Sequence, residues 1–375
     1  MPTRQIRTMS PIAALLVALA AGAYAVDEAK PNRADFDKAV AKAIDYLRTK
    51  GQAADGSYSA QAGPAITAIV TTAILKHGRS PDDPQVAKAL KYLEGFAQED
   101  GGIYAEDSKV KNYETSIAMQ CFSEANQDGR YQKLLDGAEK FVKKLQWDGD
   151  ESHDESSTYY GGAGYGGHSR PDLSNTQFLL DALKAVGRGP DDPAVKKALI
   201  FVSRCQNLET EHNTTPFAAK NPDGGFYYTP AAGGTSQAGN TPQGGLRSYG
   251  SMTYAGLKSM IFAGVDAEDP RVKAATKWLR EHYSLEENPG MGQQGLFYYY
   301  HTMAKALEAL DQPTFEDAAN QKHDWRSDLT AEMSSVRSPT GPGSTKLLAG
   351  WKGTRTWSAR TRFWSSTIAA LPSSR

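Results

Sequence analysis

The chain has 375 residues, 42 of them basic and 43 acidic, with 39% hydrophobic residues and two cysteines. That length suits one large domain or a pair of small ones. Near-neutral charge gives no reason to expect a nucleic-acid partner, and two cysteines cannot build a disulfide framework. The average hides an asymmetry: residues 333–375 contain no Asp or Glu but seven basic residues, from Arg337 to Arg375, so residues 26–332 carry ten more acidic than basic side chains.

The N-terminus places Arg4 and Arg7 before the apolar run PIAALLVALAAGAYA, and Ala23-Tyr24-Ala25 precedes a polar segment. This pattern matches a secretory signal peptide over residues 1–25, with a mature chain starting at Val26 and exported to the periplasm or the medium. The apolar run is shorter than the ~20 residues that a spanning helix needs, and no later run is longer, so no stable membrane span is expected.

Three segments repeat one design. DDPQVAKALKYL starts at Asp82, DDPAVKKALIFV at Asp191 and EDPRVKAATKWL at Glu268. Each has an acid at the N-cap and Pro at the first helical position, then small or branched apolar residues two, five and nine places after Pro. These offsets put one apolar stripe on a helix whose other face carries Lys, the pattern of a half-exposed outer helix. Residues 34–50 and 131–146 fit the same description without the Asp-Pro start. Between them lie segments with little charge around most of their circumference: 63–78, 112–125, 174–187, 248–264 and 295–310. A helix apolar nearly all round is a buried one. The alternation predicts two concentric layers of α-hairpins.

A Gly-aromatic turn recurs between the layers, as QAADGSY ending at Tyr58, QEDGGIY at Tyr104 and PDGGFYY at Tyr228, with YYGGAGYGG (159–167) a looser copy. Asp-Gly allows a tight turn with positive φ, and the aromatic is expected to pack back on the preceding helix. The Gln-x-x-Asp-Gly-Ser-Tyr form, in phase with alternating helices, resembles the repeat of squalene-hopene and oxidosqualene cyclases, shared in weaker form with protein prenyltransferase β subunits. The resemblance covers residues 34 to about 330. It implies an all-α fold, an α/α toroid of about six helical hairpins around a central cavity, with the last hairpin incomplete.

The chemistries of that superfamily can be tested residue by residue. Its cyclases carry Pro-Asp-x-Asp-Asp-Thr before an inner helix, where the middle acid protonates an alkene or epoxide. Here Pro171-Asp172-Leu173-Ser174-Asn175-Thr176 matches the frame except at the two adjacent acids. Alkene protonation needs a strong, preorganised acid, which Ser174 and Asn175 cannot supply. Asp172 remains the one weak catalytic candidate, and at a helix start the dipole is expected to keep it ionised. The prenyltransferase zinc site needs Asp, Cys and His; the corresponding Tyr249-Gly250-Ser251 offers neither carboxylate nor thiol. His301, in YYYHTMAKAL, matches the Tyr-His-Thr ligand position, but one imidazole is not a zinc site. No metal or cofactor is therefore expected. Cavity-lining candidates are Ser174, Asn175, Tyr249, Tyr299 and His301. The function implied is an exported toroid that binds an apolar or isoprenoid-like molecule, or a protein partner, without proton-initiated cyclisation. The alternative is an isoprenoid cyclase or prenyltransferase-type enzyme using acids outside these motifs.

Three features stand apart. The acidic loop 147–157, with Asp148, Asp150, Glu151, His153, Asp154 and Glu155, reads as solvated because its spacing is not that of a calcium loop. Cys121 and Cys205 read as buried thiols, with one bridge left open for an oxidising compartment. Residues 333–375 form an irregular basic tail where another repeat turn should stand. The codons for Arg337 to Ser344 also permit Gln-Ser-Asp-Gly-Ser-Trp-Val in the frame two bases downstream, which leaves two readings, a tail out of frame or a genuine basic tail.

Overall fold

The computed structural model describes residues 33–166 and 169–335. In chain order the helices are α1 (Arg33–Tyr46), α2 (Pro64–Lys76), α3 (Pro84–Glu94), α4 (Lys111–Ala125), α5 (Gln132–Lys144) and α6 (Leu173–Ala185). There follow α7 (Pro193–Arg204), the short α8 (Pro216–Lys220), α9 (Gly250–Phe262), α10 (Pro270–Glu281), α11 (Leu296–Ala309) and α12 (Trp325–Ser335). The described strands are β1 (Phe315–Glu316) and β2 (Lys322–His323), paired antiparallel with Phe315 opposite His323. The chain is mostly helical, as its periodicity predicts. The expected signal segment, residues 1–25, and the tail beyond residue 335 lie outside the described residues. The tail's first three residues, 333–335, complete α12. Among the described residues no helix is long and apolar enough to cross a membrane.

The three Asp-Pro helices begin as their sequence dictates. Asp83, Asp192 and Asp269 are the N-caps of α3, α7 and α10, accepting the backbone N–H of Gln85, Ala194 and Arg271 at 2.9, 2.8 and 2.8 Å. Such a cap satisfies one of the orphan donors of the first turn and contributes about 1 kcal/mol. The apolar stripe points inward: Val86, Ala89, Leu93, Val195, Ala198, Val202, Val272, Ala275 and Leu279 are all buried.

The charge-poor helices form a second, inner row. α2 packs on α4, α4 on α6, α6 on α9 and α9 on α11, so each inner helix touches the next inner one along the chain. The outer helices α3, α5, α7 and α10 pack on α2, α4, α6 and α9 respectively. In α9 every residue from Gly250 to Met260 is buried, which explains its freedom from charge at all but one position.

Three of the recurring turns tie the two rows together through a Gln with the same contacts each time, whereas Gln98 of the QEDGGIY turn donates to the Phe96 and Tyr104 carbonyls instead. Gln52 donates to the carbonyls of Gly56 and of Gln85 at the start of α3, at 3.1 and 2.8 Å. Gln146 does the same to Gly161 and Ala194 at 2.8 and 2.9 Å, and Gln206 to Gly224 and Arg271 at 2.9 and 2.8 Å. From the inner side, the hydroxyls of Thr67, Thr115, Thr176 and Thr253 accept the backbone N–H of Tyr58, Ile103, Ala163 and Phe226 at 2.9–3.1 Å. The turn glycine is obligatory at Gly161: φ is +80°, and a Cβ there would lie 1.8 Å from the Lys197 carbonyl of α7.

One expectation is corrected. The turn aromatics do not all pack on the preceding helix: the Tyr58 hydroxyl accepts from Gln85 on the following α3, and the Tyr104 ring lies 5.4 Å from Phe141 on the following α5. Tyr227 does reach back, donating to the Arg204 carbonyl at the end of α7 at 2.5 Å. The reading of the two cysteines as buried thiols holds, and the bridge left open does not form. Cys121 and Cys205 are both free and buried, and burial pushes the Cys121 thiol up to about 12.

Candidate functional site

The inner helices are almost free of charge, and the charges they do carry are placed alike. Lys76 is the single charge of α2 and Lys258 that of α9; α6 carries Asp181 and Lys184, and α11 carries Lys305 and Glu308. α4 opens with Lys111 and Glu114 but has Glu124 next to its last residue. Apart from Lys111 and Glu114 at the start of α4, the charges of the five helices therefore gather in their last two turns.

Hydrogen bonds join these groups across the row. Lys258 Nζ lies 2.8 Å from the Asp181 carboxylate and also donates to Gln177 Oε1; both Lys258 and Asp181 are essentially solvent-free. Lys305 Nζ donates to Asp181 Oδ2 at 2.8 Å and to Gln120 Oε1 of α4 at 3.2 Å. Gln177 Nε2 donates to the Tyr298 hydroxyl at 3.0 Å, and that hydroxyl lies 3.0 Å from Ser174 Oγ. One polar path thus runs from Ser174 in the first turn of α6, through Tyr298, Gln177, Lys258 and Asp181, to Lys305 and Gln120. It links four helices: α4, α6, α9 and α11.

The electrostatics follow from burial. Taking Asp181 out of water pushes its pKa up, but the adjacent Lys258 and Lys305 ammonium groups more than compensate and hold the carboxyl well below the usual range. Burial lowers Lys258 to about 8 against the pull of Asp181. Lys76 and Lys184 are also lowered, first by burial and further, with other groups opposing, by the charge of Lys305. Neither is in an ion pair with a described residue within 4.0 Å.

Water reaches the faces that carry this path. Ile66 and Ile69 of α2, Tyr113 and Gln120 of α4, Ser174 of α6 and Phe297, Tyr298, His301 and Lys305 of α11 are half-buried, although they belong to the inner row. Since Ser174 meets Tyr298 and Gln120 meets Lys305, the half-buried faces of α4, α6 and α11 look at one another. The walls nearer the helix starts are aromatic, with Tyr113 edge-on to Phe178 at 5.0 Å and Phe178 at 6.5 Å from Tyr298.

The sequence candidates distribute unevenly over this arrangement. Ser174 lies on the path. Asp172 caps α6: its Oδ1 accepts the Asn175 N–H at 2.9 Å and its Oδ2 accepts Asn175 Nδ2 at 2.8 Å. The helix dipole does not keep Asp172 an ordinary carboxylate. Burial raises it to about 6, against hydrogen bonds from Asn175 and Tyr228. Asn175 is buried, and its Oδ1 has no hydrogen-bond partner among the described residues. Tyr249 is buried beside this corner as the N-cap residue of α9, and burial raises its hydroxyl strongly, with Tyr298 and Asp172 adding to the effect. Tyr299 is a core residue that offers no surface to a ligand: it is fully buried against Tyr254 and donates to the Ser284 carbonyl at 2.7 Å. His301 is half-buried in the middle of α11, between Tyr298 and Lys305 in sequence.

Asp181, Lys258, Lys305 and Gln177 escaped the motif search because they match none of the superfamily's motifs, whereas Tyr298 belongs to the aromatic cluster Phe297–Tyr300 that the sequence offers as cavity lining or core. The available signal was the scarcity of charge, one or two charges in a helix otherwise free of them, with Lys258 alone in α9, because a buried charge needs a partner.

Two other regions were candidates. The acidic loop is tied down within the fold: Asp148 pairs with Lys197, Asp154 accepts the Ser156 hydroxyl at 2.6 Å, and Arg204 donates to the Glu155 and Ser157 carbonyls. Among the described residues no group of three or more His, Cys, Asp or Glu side chains could hold a metal ion. A cleft of about 670 Å³ opens beside Asp100, Lys109, Lys111, Lys144 and Trp147, away from the inner-row path. Compared with known proteins, the chain matches no family model and no curated sequence.

Proposed function

We propose that this chain is an exported α/α toroid of the squalene-cyclase and prenyltransferase-repeat kind, that it binds an apolar or isoprenoid-like small molecule among its inner helices, and that it does not carry out proton-initiated cyclisation. The toroid reading is supported by the inner row α2–α4–α6–α9–α11, by the outer helices packed on it, and by the cross-row bonds from Lys305 to Asp181 and Gln120. Two concentric layers with a sixth hairpin incomplete at α12 account for these contacts. The single observation that carries the binding reading is the set of half-buried aromatic and polar faces that look at one another between the inner helices.

The absence of cyclisation rests on chemistry. The positions that would hold the proton donor are Ser174 and Asn175, and Asp172 is occupied with capping Asn175. A carboxyl titrating at about 6 is far too weak an acid to protonate an isolated alkene without help. Purified protein incubated with squalene should yield no cyclic product by gas chromatography, while native mass spectrometry of the exported protein should show a bound small molecule lost on denaturation. A cyclic product that disappears in Asp172→Asn would favour the enzyme alternative, for which the raised Asp172 is the one supporting observation.

A further inference from the structure

A cleft lies apart from the inner row, between two consecutive turns of the fold. Its volume is about 670 Å³, within the ~300–1,000 Å³ of ordinary small-molecule sites. Its walls include Asp100 and Lys109 before α4, Lys111 at the start of α4, Phe141 and Lys144 at the end of α5, and Trp147 just beyond.

Three ammonium groups line this cleft, and none of them is in an ion pair with a described residue. The adjacent Lys143, by contrast, is held by Glu139 and Asp192 at 2.7 Å each. The carboxylate on the wall, Asp100, is turned to its own loop: it accepts the Gly102 N–H at 3.0 Å and the Tyr104 hydroxyl at 2.6 Å. Lys111 Nζ stands 4.3 Å over that Tyr104 ring. The described walls thus carry three positive charges against one negative, although residues 26–332 as a whole carry ten more acidic than basic side chains. A cleft focuses such a local excess, and the α4 dipole adds to it at Lys111.

The aromatic wall is fixed before any ligand arrives. Trp147 Nε1–H donates to the Ser169 carbonyl at 2.9 Å, and the indole stands edge-on to His153 and Tyr159 at 4.9 and 5.3 Å. A half-buried ring held in this way offers flat apolar surface at little cost in ordering. Negative charge on a ligand accounts for the lysines. It does not account for Asp100, which repels an anion but can still accept hydroxyl protons on its remaining lone pairs. A pyranose ring bearing a carboxylate suits all three kinds of wall. Its carboxylate faces the lysines, its hydroxyls face Asp100, and its C–H face lies on Trp147.

We propose that this cleft binds an acidic saccharide, a short chain of uronic-acid rings. Its carboxylates sit among Lys109, Lys111 and Lys144, and one ring lies against Trp147. The site is additional to the interior between the inner helices and stands whatever that interior binds.

The test titrates the full chain calorimetrically at neutral pH and low salt with digalacturonate, neutral galactobiose, succinate and a blocked Glu-Glu dipeptide. Digalacturonate should bind one-to-one and about tenfold or more tighter than galactobiose, the value of roughly one charge-assisted contact. Salt should weaken it. Lys109 and Lys144 are exposed, so Lys109→Gln and Lys144→Gln should leave the melting temperature unchanged. Each should weaken digalacturonate severalfold and leave galactobiose unaffected. The Trp147 indole N–H resonance, identified by its loss in Trp147→Phe, should shift on adding digalacturonate. Equal affinity for galactobiose would show that the lysines do not select charge. Succinate or the dipeptide binding as tightly as digalacturonate would show that the cleft does not recognise a sugar. No binding of digalacturonate, or binding insensitive to both lysine substitutions, overturns the site itself.

Discussion

Replacing Asp181 with Asn tests whether one carboxylate holds the inner row together. The change is nearly isosteric, so packing is preserved, but two ammonium groups lose their counter-ion. Lys305 keeps 14% of its side-chain exposure and can turn to water, whereas Lys258 has none. Removing one partner of a buried ion pair costs about 3–5 kcal/mol, because the remaining charge stays desolvated or must shed its proton. A domain of this size loses roughly 2–4 °C of Tm per kcal/mol, so the melting temperature should fall by on the order of 10 °C. The pH dependence gives a sharper readout. In the variant Lys258 is neutral when folded and protonated when unfolded, so the unfolded state binds more protons and stability rises with pH up to the unfolded pKa near 10.5. In the native protein the same rise begins only above about 8. The gap between the two proteins should therefore narrow by about 1.4 kcal/mol per unit between pH 7 and 8, and stay constant above it. Urea unfolding followed by circular dichroism measures both. Adding Lys258→Met to Asp181→Asn should recover part of the loss. A cost below about 1 kcal/mol with no pH dependence would show that Asp181 is not the counter-ion of a buried charge.

Two further outcomes follow from the same geometry. Gly161→Ala forces a left-handed backbone on alanine and drives a methyl into the Lys197 carbonyl, so it should destabilise by more than the ~1–2 kcal/mol of the backbone strain alone; Gly187→Ala, also at positive φ but with open space around it, should cost only that strain, and equal losses would refute the clash. Asp172 is an acid whose folded pKa, about 6, lies above its unfolded value of 3.8. The folded state then binds more protons between those values, so stability should decline as pH rises from about 4 to 6, and Asp172→Asn should flatten that decline; an unchanged profile would place Asp172 in contact with water.

Helix existence and type were legible in the linear chain, and the reasons are local. Val, Ala and Leu or Val two, five and nine places after Pro can face one way only on a helix, and all of them are buried in α3, α7 and α10. The uncharged segments came out as the inner helices to within about two residues at each end, because nothing in them could face water. The short α8 and the β1–β2 ladder were missed, being elements of five and two residues with no periodicity to read. Gln52 was legible as part of a motif, but its role, shared with Gln146 and Gln206 that no motif marked, depends on a carbonyl 33 to 65 residues away, at the start of another helix. The site was the least legible part. Ser174 and Asp172 could be found by comparison with a motif, yet Tyr299, which looked like a cavity residue, points into the core because its helix turns that face toward Tyr254. Conversely, Asp181, Lys258 and Lys305 lie on three helices and 47 to 124 residues apart. Local pattern reports only whether a residue faces inward. Which inward-facing charges meet is decided by how the helices pack, and the cost of burying any one of them alone is what makes that meeting obligatory.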